Sequence, residues 1–258
     1  MVSKRKGSVL FAAAMTTLAA GAAHAQQSAP INLQVEVQPA ASFGAGNVTR
    51  VSYVVANTPR STDRLFEFAV RSPVPVWRLE VPGPRTQYLG TTREGRDDVA
   101  SWGWLDDMPR PGQSSPVLAY EAIGLPGIVP YRALRYFGVR HPGVRPPQVD
   151  QIGEPSELRF DRSGAEYVVG KTVGVVPLPP DVRPTALAGR LRRLVDESCA
   201  LGWIESASVC GRLRENARPS ARALRVFHHE LVAERGRGVS DAAFALLAPN
   251  VEFLLTKL

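Results

Sequence analysis

The sequence changes character at Pro177-Leu178-Pro179-Pro180, with Pro184 shortly after. Each proline fixes φ and lacks a backbone N–H, so no helix interior or inner strand runs through such a stretch. Extended polyproline geometry makes residues 177–184 a semi-rigid connector. The apolar pattern has a period of about 2 before it and about 3.6 after it, which reads as two domains of different class.

Before the connector, Ile31, Leu33, Val35 and Val37 alternate with Asn32, Gln34, Glu36 and Gln38. One face turns inward and one outward, as in a half-buried strand. Further strands are expected at Val48–Ala56, Leu65–Val70, Val76–Val81, Val99–Trp104, Val117–Ile123, Tyr131–Phe137 and Tyr167–Val176, separated by Pro, Gly, Asn and Asp. This spacing predicts an antiparallel β-sandwich over residues 26–176. The four prolines between His141 and Pro155 mark a long loop.

After the connector, Leu187, Leu191, Leu194, Val195 and Cys199 share one helical face, and Gly202 ends the helix. A second helix is expected over Ser206–Ala217. Ser220 caps a third that buries Leu224, Phe227 and Leu231 and stops at Gly236. Ser240 caps a fourth, kinked at Pro249, running to Leu258. The fold class is therefore α+β multidomain: an antiparallel β-sandwich followed by a small all-α four-helix domain over residues 185–258.

Residues 1–25 read as a secretory signal peptide, with Lys4, Arg5 and Lys6, an apolar run from Val9 to Ala23, and the small-x-small site Ala23-His24-Ala25. The run is short for a bilayer span, and no Cys follows the cleavage site to take a lipid. A periplasmic or secreted protein without a transmembrane anchor is expected. Cleavage removes three of the 31 basic residues and none of the 24 acidic ones, which leaves a net charge of about +4. With both signs mixed along the chain, the basicity does not mark a nucleic-acid binder.

The C-terminal part, through Leu201-Gly202-Trp203-Ile204, Leu213–Ala217, Val226-Phe227 with Glu230, Ala233-Glu234-Arg235-Gly236 and Leu246-Leu247, resembles the FIMAH module of secreted bacterial proteins. The resemblance implies a small helical module that mediates contacts or attachment, with no catalytic residues to carry over. The N-terminal part resembles no family closely enough to imply a function.

Cys199 and Cys210, the only cysteines, fall on helices that the Gly202-Trp203 turn folds into a hairpin. In an oxidising compartment they are expected to form a disulfide. His228 and His229 point about 100° apart on their helix and cannot chelate together; no metal site or cofactor is expected. The chain has no Gly-x-Ser-x-Gly elbow and no phosphate-binding loop. The most suggestive site is Trp102-Gly103-Trp104, flanked by Asp97-Asp98 and Asp106-Asp107. Trp102 and Trp104 share a strand face, where exposed indoles would stack on sugar while Asp106 and Asp107 bind hydroxyls or calcium. The competing arrangement places both indoles in the core and makes Asp106-Asp107-Met108-Pro109 a turn. The expected function is a non-catalytic binding or interaction protein of the cell envelope or exterior, engaging glycan or protein. The alternative is a carbohydrate-active hydrolase using the carboxylates near Trp102 and Trp104.

Overall fold

The structure, a computed structural model, describes residues 33–80, 88–104, 107–136, 160–161, 163 and 167–258. The leader, Ile31, the loop from His141 to Pro155, and Asp106 lie outside the described residues. The described residues of the N-terminal part hold nine strands: β1 (Val35–Phe43), β2 (Val48–Asn57), β3 (Leu65–Ser72), β4 (Val76–Glu80), β5 (Tyr88–Glu94), β6 (Asp97–Gly103), β7 (Leu118–Ile123), β8 (Leu125–Arg135) and β9 (Tyr167–Val176). They form two antiparallel sheets, in the orders β1-β2-β7-β4 and β5-β6-β3-β8-β9. Four helices follow: α1 (Pro184–Ala200), α2 (Ala207–Asn216), α3 (Ala221–Glu234) and α4 (Asp241–Leu255). The fold is the expected β-sandwich followed by a small helical part.

Alternation along β2 turns Val51, Tyr53 and Val55 into the space between the sheets. There they meet Leu118, Tyr120 and Ala122 of β7 and Phe68 and Val70 of β3. The Tyr53 ring stands edge-on to Phe68 and Trp102 and stacks on Tyr120. Neither tyrosine hydroxyl is wasted in this apolar layer. Tyr53 Oη donates to Val173 O at 2.8 Å, and Tyr120 Oη accepts from Val175 N at 2.9 Å. Both backbone groups lie on the side of β9 turned away from β8. Two side chains of one sheet thus satisfy the free edge of the other, and burial pushes both phenols above the usual range.

β7 passes into β8 through Gly124 alone. A Cβ there would sit 2.2 Å from Val176 O, so only glycine lets the chain step between sheets at this point. Asn47 O accepts from Gly124 N, and Thr49 Oγ1 donates to Gly124 O, so both polar groups of the corner are bonded.

β8 begins six residues before the expected Tyr131. Pro126, Gly127 and Pro130 read as breakers, yet β3 pairs with β8 only from Tyr131 onward. The proline nitrogens therefore face a side with no strand to receive a hydrogen bond. Helices occupy that side: Pro126 O accepts from Arg190 Nη2 of α1 at 3.2 Å and from Asn250 Nδ2 of α4 at 3.0 Å.

α4 is apolar nearly all round its axis, the mark of a helix covered on every side. It packs between α1 and α3 and against β1, β8 and β9, with Phe253 edge-on to Phe43. Leu125 and Val173 of the sandwich belong to the same apolar cluster as the helices. The helix runs through Pro249 without a break in its span. Ser206 and Ser240 cap α2 and α4 through their side chains, while Ser220 precedes α3 without such a bond.

The Cys199–Cys210 disulfide is formed, with Cα atoms 6.3 Å apart, and joins the end of α1 to α2. Arg214 with Asp196 extends this clasp along the hairpin. Closing a loop of this length limits the unfolded chain by about 3 kcal/mol. Cys199→Ser/Cys210→Ser is expected to lose about that much stability by chemical denaturation. Tyr120→Phe strands the buried Val175 N–H and is expected to cost about 1–3 kcal/mol in the same measurement.

Candidate functional site

Trp102 stands opposite Phe68 on β3 and is fully buried between the sheets, and Trp104 is 2% exposed in the same cluster. The two indoles do share a face, but it is the inner one. Trp102 Nε1 donates to Glu80 O of β4 at 3.3 Å, so even its polar edge is used inside the protein. Neither indole can stack on a sugar, so the expected ligand-binding role of Trp102 and Trp104 is corrected to a core one. Two indoles in an inter-sheet layer bury several kcal/mol of apolar surface, and the fold takes that use.

The carboxylates nearby divide their roles. Asp97 pairs with Arg71 at 2.6 Å, and Asp98 Oδ2 accepts from Val76 N at 2.9 Å, which holds the start of β4. Asp107 is exposed and lines an open pocket of about 620 Å³ with Met108, Pro109, Arg110, Gln113, Ser114 and Pro116. Asn57 fixes the underside of this loop. Its Nδ2 donates to Pro109 O and Asp63 O, its N–H donates to Gln113 O, and its carbonyl accepts from Gly112 N.

The two sandwich faces that point away from the core differ. On the face of the β5-β6-β3-β8-β9 sheet, Arg132 is 3% exposed and lies 3.1 Å from Glu94 and 3.6 Å from Glu67. Its guanidinium sits 4.7 Å from the centre of the Phe160 ring. Burial raises the Glu67 pKa, and the Arg132 charge partly opposes that rise. Ala69 and Val99 are buried beside it against Phe160. These side chains are closed to a ligand.

The face of the β1-β2-β7-β4 sheet carries exposed side chains among the described residues. Glu36, Gln38, Ala40 and Ser42 of β1 are exposed along one margin. Arg50 of β2 reaches over β7 to both carboxylate oxygens of Glu80 on β4, each at 2.5 Å. The small Ala119, opposite both Ser52 and Glu80, leaves room for that crossing. Arg78 approaches Glu121 and Glu80 at 3.9 Å. At the margin the register slips between Val76 and Arg78, so one extra residue, Trp77, stands in a bulge and is 62% exposed. Ile123, which ends the neighbouring strand β7 beside Val76, is also exposed, as is Val117 just before the other end of β7.

Trp77 was missed because Val76-Trp77-Arg78-Leu79 reads as an ordinary strand. The signal is present in the order of residues: Val76 and Leu79 both pack inward, and an odd spacing between two inward residues demands a bulge. His228 Nε2 lies 3.9 Å from Glu252, and His229 is exposed apart from it. Among the described residues no three His, Cys, Asp or Glu side chains come together to hold a metal.

No family model and no curated protein sequence matches the chain. Among solved structures, it is similar to the exo-β-N-acetylglucosaminidase of Vibrio harveyi, at 9% identity and a TM-score of 0.30 over 57% of this chain. The match spans 18% of that enzyme's length. It is also similar to an uncharacterized protein of Nocardia farcinica with an immunoglobulin-like fold, at 16% identity and a TM-score of 0.29, covering 56% of this chain and 97% of that one.

The raised Glu67 pKa has a definite sign. The folded state holds this proton more tightly than the unfolded chain does, so stability falls as pH rises from the ordinary glutamate range through the folded value. Glu67→Gln is expected to flatten that decline in denaturation midpoints taken across the acidic range, and an unchanged slope counts against it.

Proposed function

We propose that this chain is an exported, non-catalytic binding protein that meets a protein partner of the cell envelope or exterior through the sheet face around Trp77. The observation that carries the reading is the indole of Trp77, exposed on a bulge at the edge of a sheet whose described outer side chains are largely exposed or half-buried. Trp is enriched among the side chains that dominate protein interfaces, and an exposed one gains most when a partner covers it. The charges behind it, Arg50, Glu80, Arg78 and Glu121, are paired within the face, which gives polar rim contacts without a large uncompensated charge. The disulfide fits an oxidising compartment, and no described helix is long and apolar enough to cross a membrane. The helical part, through its resemblance to the FIMAH module, would serve attachment.

A photo-crosslinking amino acid placed at Ile123 in the native cell is expected to give one discrete protein adduct. Trp77→Ala in the same chain should reduce that adduct at least tenfold, since loss of an interface Trp commonly costs about 2 kcal/mol or more. Moving the probe to Arg60, exposed beyond the end of β2 remote from Ile123, should give none. Equal adducts with and without the indole would sink the reading.

A further inference from the structure

We propose that the outer stripe of α3 is a docking surface for an anionic lipid headgroup layer. It is separate from the Trp77 face and does not rest on it. The side chains of Arg222, Arg225, Val226, His229, Val232 and Ala233 are all exposed and recur at the spacing that puts them within about a third of the helix circumference. Leu224, Phe227 and Leu231 are buried on the opposite side. Val226 and Val232 are 48% and 51% exposed, so the stripe mixes cations with bare β-branched side chains.

No carboxylate lies on the stripe. Glu230 and Glu234 turn toward α2, where Arg212 meets both, and Glu252 of α4 faces His228 on the other flank. Glu215 belongs to α2. Arg218 extends the basic surface beyond the start of α3, as does Arg192, whose guanidinium donates to Ala217 O at 3.4 Å.

The helix gains nothing from this arrangement. Arg222 in the first turn opposes the helix dipole, and no acidic residue stands there to offset it. Apolar side chains rising between arginines are the composition of a surface that lies on headgroups, with the cations drawn to lipid phosphate and the valines reaching the acyl boundary. An acidic protein would satisfy the arginines but leaves the two valines without a purpose. The lipid layer accounts for both.

The test is co-sedimentation of the full chain with vesicles of phosphatidylcholine alone or carrying a minority of phosphatidylglycerol. Partition is expected only into the anionic vesicles and should weaken with added salt. Each arginine near such a surface contributes about fivefold, so Arg222→Gln/Arg225→Gln should bind about 25-fold more weakly. Val226→Ser/Val232→Ser, which keeps every charge, should also bind severalfold more weakly. Arg60→Gln/Arg96→Gln removes two exposed charges from the sandwich and should bind as the parent does. Equal loss in both arginine pairs overturns the proposal, as does equal partition into neutral vesicles. So does retention on heparin with no vesicle binding. Because all the altered side chains are exposed, unchanged thermal melts are expected to accompany each result.

Discussion

A two-sheet protein must deal with the backbone groups at the margins of its sheets, and here the margin of β9 governs how the layers meet. Val173 and Val175 direct a carbonyl and an N–H away from β8, where no further strand pairs among the described residues. Left dry, each would cost about 1–3 kcal/mol. Tyr53 and Tyr120 end on these two groups, and their stacked rings set the spacing and lateral offset of the sheets. The same device recurs at β4, where Asp98 takes Val76 N and Trp102 reaches Glu80 O. Side chains rooted in one sheet occupy the edge positions of the other, which also denies those edges to a foreign strand.

The helices extend the same logic. Past the end of β3 no described strand flanks β8 on that side, and α1 and α4 supply donors to Pro126 O in its place. α4 is then enclosed by α1, α3 and the sandwich margin, so its apolar circumference is a requirement of position. Burial of Arg190 at this joint lowers its pKa, and the carbonyl bond compensates part of its lost hydration.

Much of the architecture was legible in the residues. Alternation along β2, β3 and β9 and the cap at Ser240 gave the strand and helix positions closely, Ser220 marked the start of α3 without bonding to it through its side chain, and the compartment argument gave the Cys199–Cys210 bond. What was not legible depended on long-range company. β5, Tyr88–Glu94, is polar and carries Gly90, so no apolar period announces it. The early start of β8 was hidden because prolines break a strand only where a partner needs their missing N–H. Trp102 and Trp104 were placed on one face correctly, but a face has two possible environments, and only Tyr53 of the facing sheet with the neighbouring Phe68 decides between them. Trp77 was overlooked because a single-residue bulge changes the parity of a strand without changing its composition.

The carbonyl of Pro126 also limits how such a molecule can be rearranged by recombination. A helical cassette grafted onto another sandwich would arrive with Arg190 and Asn250 aimed at nothing, and a sandwich stripped of its cassette would expose Leu125, Ile128 and Phe43. Descent by simple shuffling of these two halves is therefore constrained: a transplant succeeds only where the recipient already carries an unpaired strand flank of matching shape.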